Sequence, residues 1–510
     1  MIGDRSVTTE GDHRERDRML PASARDARKD ARCTYAASEH SGSAPPSAAA
    51  APARRSSGVQ GRRRAARQRG PRRCSAGRLG NTANYFSRDH DAEVAAKRSA
   101  ARRRRYELRR ELWGLTELQR VACCGRTART PGGQVGLRAP GDGRAGFSGL
   151  TSCGSVWACP VCAAKIAAER AHDLGTVGQW AIEQGHTMGL VTLTVQHHVG
   201  QRLADLWDAV TGAWSDVVKG EAWSGEPERA FLRRLAKWET DRAKKWKGSR
   251  RRARPARRVG LAERFGVLGW ARAVEALYGK NGWHPHVHVP LIFDGPVSED
   301  WIRLLGEAIF DRFQRALRRR GFDAVRDSGG LDARRAYAAD ELGGYLAKQL
   351  AFEATHGHVK TGRKGLALRA PFQVLADVVA TGDADNLDIW QEWEQASKGR
   401  QQLTWSKGIR ALAGLAAEQR TDEEIADEEL GDDDLLILDR DTWRAVAPVQ
   451  IDLLEAAASG GVAGALAWLD RAGLTCLVAP AGREAREGSL HRRDQGLWPT
   501  SSMVRDRAPG

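Results

Sequence analysis

The sequence contains little that would suit a membrane or a disulfide-rich protein. In 510 residues, no apolar run approaches the roughly 18 residues of a membrane-spanning helix. The first residues, MIGDRSVTTE, lack the apolar core of a secretory signal. Eight cysteines are too few for a disulfide scaffold in a chain of this length. We therefore expect a cytoplasmic protein with no membrane partner, in which clustered cysteines bind metal.

Acidic residues are outnumbered by basic ones, and the formal net charge is +17. Such an excess points to an anionic partner, and nucleic acid is the commonest one. The charge is unevenly distributed. Residues 1–85 are basic and poor in large apolar side chains, so we predict that they are disordered. Residues 411–440 are acidic, which favours a solvated linker.

The rest of the chain divides by composition and periodicity. A mixed core of strands and helices is the predicted centre of the protein. The predicted segments are a basic helical stretch at 86–117, a zinc-binding cysteine module with a helix at 118–184, the mixed core at 185–410 with a basic insert at 219–258, and a helical C-terminal segment with its tail at 441–510.

The clearest chemical signal is the segment GWHPHVHV, in which three histidines alternate with apolar residues or proline. The period of two places His284, His286 and His288 on one face of a strand. Pro285 indicates a strand start or an edge at this point, because proline cannot donate to a sheet. We therefore favour His286 and His288 as metal ligands, with His284 as a supporting group or DNA contact.

A turn just before these histidines supplies the third ligand. A two-residue loop at Asn281–Gly282 places Glu275 opposite His288, whereas a four-residue loop at 279–282 places Glu275 opposite His286. Both registers put the carboxylate on the histidine face. Two imidazoles and one carboxylate make a divalent-cation site with open coordination positions. Such a site can polarise a phosphate oxygen.

The segment AADELGGYLAKQLAFE predicts a helix that carries a nucleophile. Glu341, Tyr345 and Lys348 share one helical face at spacings of four and three residues. A tyrosine oxygen can attack a phosphodiester, the lysine can favour the phenolate, and the glutamate can activate a water or a DNA hydroxyl. Tyr337 is the rival nucleophile. The alternative is an ordinary amphipathic helix, which would account for this segment if it stood alone.

Four cysteines lie close enough in sequence to form a closed zinc site. Cys159 and Cys162 form a CxxC pair that leads into a helix, Cys153 precedes it, and Cys124 is the fourth candidate. Four thiolates bind Zn²⁺ tetrahedrally in structural sites. Cys123 is an alternative to its neighbour, and a redox CxxC pair or simple buried thiols are the alternatives to zinc.

Basic residues at two places are candidates for contacts with DNA phosphates. The insert KWKGSRRRARPARR and the phrase LTWSKGIR combine positive charge with an aromatic residue. The residues that we predict to contact DNA are Arg250, Arg251, Arg252, Lys407 and Arg410.

Taken in order, SCGSVWACPVC, LVTLTV, GWHPHVHV and GGYLAKQL make the chain resemble the rolling-circle replication initiators of actinobacterial plasmids. More broadly, the chain resembles the HUH endonucleases, over roughly residues 118–410. The resemblance implies an α+β fold in which an antiparallel central sheet carries the histidines and helices flank the sheet. The resemblance implies that the core at 185–410 nicks one strand of a plasmid origin with Mg²⁺ or Mn²⁺. It implies that Tyr345 becomes joined to the 5′ phosphate, leaving a free 3′-OH, and that Glu341 supports termination.

The same resemblance implies the partners and leaves two other functions open. The partners would be origin DNA, single-stranded or hairpin at the nick, together with a host helicase and polymerase. An HUH transposase or a relaxase remains an alternative, although relaxases commonly carry the tyrosine before the histidines. A zinc-containing DNA-binding regulator without catalytic activity is the alternative from another class, because it needs only the cysteines and the basic charge.

Overall fold

A computed structural model of the chain describes residues 88–140, 143–243, 253–338, 360–361, 367–431 and 433–478. The predicted segment 1–85 lies outside these ranges, as do Arg250, Arg251, Arg252, Glu341, Tyr345 and Lys348. No helix in the described ranges has both the length and the apolar character that crossing a bilayer requires.

The described strands, in chain order, are β1 (Val135–Arg138), β2 (Gly146–Ser148), β3 (Thr187–Thr194), β4 (Val267–Gly279), β5 (Gly282–Phe293), β6 (Leu331–Ala336), β7 (Lys360–Thr361), β8 (Ala367–Leu368), β9 (Leu403–Trp405), β10 (Leu436–Leu438) and β11 (Leu477–Val478). All their pairings are antiparallel.

The described helices are α1 (Arg88–Leu115), α2 (Gln119–Cys123), α3 (Pro160–Glu183), α4 (Leu203–Val217), α5 (Glu221–Ser224), α6 (Glu228–Ala243), α7 (Leu261–Phe265), α8 (Glu299–Arg318), α9 (Pro371–Thr381), α10 (Ala384–Ser397), α11 (Ile409–Leu412), α12 (Asp422–Asp427), α13 (Arg440–Val446) and α14 (Gln450–Arg471). The prediction of antiparallel sheet with flanking helices is confirmed for the described part of the chain.

The central sheet has five strands in the order β6-β3-β5-β4-β9. The long β4–β5 hairpin lies near its middle, and β3 pairs with β5 from Thr187 opposite Phe293 to Thr194 opposite His286. The strands of this sheet end on two sides. We call the side at the β4–β5 loop the turn end and the opposite side, at Phe293, the far end.

The β4–β5 hairpin has one of the two pairings that we expected for Glu275. Glu275 lies opposite His286, and Gly279 pairs with Gly282, so the loop itself is Lys280–Asn281. The loop is thus one residue earlier than Asn281–Gly282 and shorter than the four-residue alternative. Gly282 has φ of +82°, a conformation that a glycine adopts without the strain of a Cβ atom.

The two faces of the central sheet are covered by different helices. Helices α4 and α8 pack on the face that carries Val287, Val289 and Leu291, and together they form the main core. Helix α3 packs on the opposite face, where Val177 contacts the cluster around Met188 and Ile292 near the far end. The histidines share this second face but lie toward the turn end, beyond that cluster.

Helix α8 shows why the sequence forms its helices where it does. The Ser298 hydroxyl accepts a hydrogen bond from the Trp301 amide, and Glu299 and Asp300 occupy the first turn. Arginines occupy its last turn. The acidic side chains thus lie at the positive, N-terminal end of the helix dipole, and the arginines lie at its negative, C-terminal end. The buried residues recur at helical spacing, so one face joins the core.

A second sheet joins the two ends of the described chain. It has the order β11-β10-β1-β2, so β1 of the cysteine module pairs with β10, which lies about 300 residues later. Helices α13 and α14 complete its core. Helix α1 lies between the two cores, because Leu108 and Leu112 belong to the main core and Trp113 to the second.

The acidic segment differs from the solvated linker that its charge suggested. Helix α12 has a capping box formed by Thr421 and Glu424, and Ile425 is buried in the main core. Asp422 pairs with the buried Arg170 at 2.8 Å, and Glu429 pairs with Arg129 at 2.9 Å. Its carboxylates thus have cationic partners on the cysteine module, which a count of charge along the sequence does not reveal.

Candidate metal centres and nucleic-acid contacts

Three side chains converge on the face of the central sheet opposite α4 and α8. The Glu275 carboxylate oxygen Oε2 lies 2.7 Å from His286 Nε2 and 3.1 Å from His288 Nε2. All three residues are buried, and their possible ligand atoms lie within 4.8 Å of one another. The cross-strand pairing of Glu275 with His286 produces this convergence, because paired residues of an antiparallel sheet share a face.

These distances fit a hexacoordinate divalent cation. An octahedral cation with ligands at about 2.1 Å holds adjacent ligand atoms about 3 Å apart. The two carboxylate–imidazole separations of 2.7 and 3.1 Å bracket that value. Two imidazoles and a carboxylate occupy three coordination positions and leave the others for water or a phosphate oxygen. The three residues therefore offer a set of ligands that could hold a divalent cation.

The outer nitrogens of both imidazoles have partners that orient the rings. His288 Nδ1 lies 3.0 Å from the Thr192 hydroxyl, and His286 Nδ1 lies 3.3 Å from the carbonyl oxygen of His284. A proton on Nδ1 can be donated to either oxygen and leaves the Nε2 lone pair toward Glu275. Thr192 is not among the predicted site residues, although the period-two pattern of LVTLTV places it on one face of its strand.

His284 does not join the triad but forms a pair with His197. Their Nδ1 atoms are 3.4 Å apart, and their rings meet edge to face with centroids 4.7 Å apart. Burial, together with the neighbouring His286 and His197, lowers the pKa of His284 to about 3. Burial also lowers the pKa of His197. Both imidazoles are therefore neutral near pH 7, which suits a hydrogen-bonding role for the pair.

The four predicted zinc ligands lie together. The Sγ of Cys124 is 3.7 Å from that of Cys159 and 3.5 Å from that of Cys162, and the Cys153–Cys162 separation is 3.7 Å. A tetrahedral zinc with sulfur ligands at about 2.3 Å holds those sulfurs about 3.8 Å apart. All four residues are buried, so the set fits a closed structural site. The cluster includes Cys124 and not its neighbour Cys123.

The surroundings of the cluster favour a thiolate at Cys124, whereas hydrogen bonding with Cys124 and burial raise the pKa values of Cys153 and Cys162. Cys159 is the N-cap residue of α3 and Cys162 lies in its first turn, where the helix dipole stabilises negative charge. Hydrogen bonds from the other thiols, first that of Cys153, hold the pKa of Cys124 well below its usual value. The buried Arg109 guanidinium lies beside Gly125, next to Cys124 in the chain. Nothing in the local sequence of α1 indicated this contact.

The predicted phosphate contacts of the LTWSKGIR phrase have different environments. Lys407 is exposed and follows β9 at the far end of the sheet, away from the histidines. Arg410 is buried, and its Nη1 lies 2.6 Å from the Asp173 carboxylate. We therefore correct the prediction for Arg410, because a guanidinium that is buried and paired with a carboxylate serves packing between α11 and α3 and not DNA binding.

Tyr337, the rival nucleophile, lies far from the triad. Thr192 pairs with His288 on one side and with Asp332 on the other, so Asp332 and His288 lie at the same level of the sheet. Tyr337 follows Asp332 by five residues, directly after the end of β6. At about 3.4 Å per residue, roughly 17 Å separates the two levels. Tyr337 is 68% exposed, at the far end of the sheet.

The cysteine cluster predicts that the chain binds zinc and that its stability depends on it. We expect about one zinc per chain by metal analysis, with loss of zinc and a lower unfolding midpoint in Cys159→Ser, because three thiolates hold the ion more weakly than four. Cys476→Ser is the matched control, since Cys476 is half-buried outside the cluster. Full zinc content in Cys159→Ser would contradict this assignment.

The buried ion pair predicts that Arg410 matters for stability. We expect Arg410→Ala to lower the free energy of unfolding by about 3–5 kcal/mol, because Asp173 would be left buried without its partner. Lys407→Ala, at an exposed site, should change it by less than about 0.5 kcal/mol. Denaturant unfolding measures both. Full stability of Arg410→Ala together with weaker DNA binding would show that Arg410 contacts DNA.

The chain is similar to two Streptomyces proteins over part of its length. It is 31% identical over 318 residues to a Streptomyces lividans protein named "Protein rep", a match that covers 52% of this chain and 64% of that protein. It is 33% identical over 149 residues to a Streptomyces cyanogenus protein named "Neomycin resistance protein", covering 29% of this chain and 31% of that protein. The chain thus spans less than two thirds of either relative. No family model matches the chain, and no solved structure does.

Proposed function

We propose that this protein starts plasmid replication by cutting one strand of origin DNA with a tyrosine nucleophile and a divalent cation, as HUH initiators do. The observation that carries the proposal is the triad of Glu275, His286 and His288 on one face of an antiparallel sheet. The similarity to a protein named "Protein rep" supports a role in replication. The triad also favours this function over a regulator that only binds DNA, since such a protein has no use for it.

The proposed chemistry is an exchange of phosphate esters. The bound cation would polarise a non-bridging oxygen of the scissile phosphate. The tyrosine oxygen attacks phosphorus, the bond to the 3′ oxygen breaks, and the 3′ oxygen leaves as a hydroxyl after gaining a proton. The 5′ phosphate stays joined to the protein, so the bond remains available for rejoining. His284 and His197, neutral and adjacent to the triad, are suited to hydrogen-bond this DNA.

We propose Tyr345 as the nucleophile. The rival Tyr337 lies at the far end of the sheet, roughly 17 Å from the level of His288 along the strand. The next described contact of the chain with the central sheet is Arg369, whose backbone bonds to Tyr278 at the turn end. In sequence, Tyr345 lies between Tyr337 at the far end of the sheet and Arg369 at the turn end, which supports its choice over Tyr337.

The remaining roles are part of the same proposal. Glu341 would activate the water or DNA hydroxyl that ends the cycle, and Lys348 would favour the phenolate. Arg250, Arg251 and Arg252 would contact DNA phosphates. The free 3′-OH would prime a host polymerase, with a host helicase separating the strands in the cytoplasm. A transposase or relaxase would share the chemistry, and flanking element ends in place of a stem-loop origin would favour the former.

The triad predicts that DNA strand cleavage requires a metal ion and that Glu275 is one of its ligands. With single-stranded origin DNA and Mn²⁺, Glu275→Gln should reduce the rate of strand cleavage roughly a hundredfold or more, because the amide brings no charge to the cation. Calorimetric titration with Mn²⁺ should show weaker binding by the same variant. Asp332→Asn is the matched control, an acidic residue on the same face beside Thr192. Equal activity of Glu275→Gln and wild type would end the metal proposal.

The nucleophile is tested by the covalent product. Wild-type protein should form an adduct with the 5′ portion of the cut strand that survives a denaturing gel. Tyr345→Phe should abolish the adduct without weakening DNA binding, since only the attacking oxygen is removed. Tyr337→Phe should retain it. The opposite pattern would show that Tyr337 is the nucleophile, and an adduct in both variants would exclude each of them as the sole one.

A further inference from the structure

The helix α6 carries a row of unpaired basic residues on its exposed side. Arg229, Arg233 and Lys237 are spaced four residues apart, so they lie within about 80° of the helix circumference and about 6 Å apart along the axis. All three are exposed. None has a carboxylate within ion-pair distance among the residues that the structure describes. We call these three residues the basic row.

The base of α6, in contrast, is held by ion pairs. The buried Glu226 carboxylate receives two hydrogen bonds from Arg234, at 2.9 and 2.6 Å. Arg258 pairs with Glu221 at 2.9 Å. Gly260 approaches Gly225 so closely that a Cβ atom on Gly260 would lie 2.1 Å from the Gly225 nitrogen. These contacts fix the start of the helix on the protein, and they involve none of the three residues of the basic row.

From this contrast, and on the basis of the proposed function, we propose that α6 is a duplex-anchoring arm whose basic row binds the phosphate backbone of double-stranded DNA beside the nick site. Double-stranded DNA carries one negative charge per about 1.7 Å of its axis, so a row of cations 6 Å apart always faces phosphates. Phosphate contacts of this kind position a protein on DNA without reading its sequence.

The surroundings of the basic row favour a duplex over a single strand. Proteins that hold single strands stack unpaired bases on exposed aromatic rings. The aromatic residues of α6, Phe231 and Trp238, are half-buried on the opposite side of the helix, where Arg234 and Arg242 lie over their rings. The exposed side therefore offers charge without a stacking platform.

The base of α6 lies away from the metal triad, which agrees with a DNA contact beside the cleavage site and not at it. The base of α6 meets Gly260, which leads through α7 into the far end of β4 at Val267. Eight residues of β4 separate Val267 from Glu275, a distance of roughly 27 Å. That length corresponds to about eight base pairs of duplex. The base of the arm and the metal triad thus lie toward opposite ends of β4.

The test compares two variants of the full chain that lose the same charge. One carries Arg229→Ala, Arg233→Ala and Lys237→Ala. The matched control carries Arg303→Ala, Arg318→Ala and Arg319→Ala, at exposed arginines in α8 and directly after it that are already paired with carboxylates. Fluorescence anisotropy measures binding to a 30-base-pair origin duplex and to a scrambled duplex across a series of salt concentrations. Cleavage of a short single strand that spans only the nick site is measured in parallel.

We expect the α6 variant to bind both duplexes at least about tenfold more weakly, and to lower the slope of log affinity against log salt by about 2 to 3. Its cleavage of the short single strand should equal that of wild type. An unchanged slope, or the same loss in the α8 control, would overturn the duplex-anchoring arm. Weaker cleavage of the short single strand with unchanged binding to both duplexes would assign the basic row to single-stranded DNA instead. Absence of cleavage by wild type would refute the proposed function but leave the duplex result decisive for the arm.

Discussion

The register of the β4–β5 hairpin is the constraint on which the candidate site depends. Glu275 lies opposite His286, and the alternation of side chains then brings His288 to the same face. A slip of one residue would turn Glu275 toward the face covered by α4 and α8 and separate it from both imidazoles. The register is held because Val287, Val289 and Leu291 are buried on that other face and cannot move into water without cost.

Tryptophans connect the hairpin to the cysteine cluster. Trp157, in the loop between Cys153 and Cys159, packs edge to face on Trp393, and its carbonyl oxygen accepts a hydrogen bond from the Trp393 indole at 2.9 Å. Trp393 in turn stacks on Trp283, which precedes His284 in β5. A zinc ion that fixes the cysteine loop would thus also support the turn end of the sheet, where the triad lies.

The predicted surroundings of charged residues differ from the structure at two places, for the same physical reason. The acidic segment and Arg410 were both assigned to solvent or DNA, yet Asp422 pairs with Arg170 and Arg410 with Asp173. In each case the partner lies about 240 or 250 residues away in the chain. Local composition reports that a charge exists, whereas burial and pairing depend on which distant segment the fold brings beside it. The basic row of α6 is the reverse case, since its charges have no such partner in the described part of the chain.

The sequence by itself determined the features that depend on local periodicity. The alternation in β5 identified the histidine face, the turn before it identified Glu275, and the CxxC spacing identified the cysteines that lie together. Only the tertiary structure decided between Glu275 opposite His286 or His288, because both loops were compatible with the same alternation. It alone also placed Tyr337 far from the triad and joined β1 to β10 in one sheet, since contacts across hundreds of residues are set by packing and leave no periodic signal in the chain.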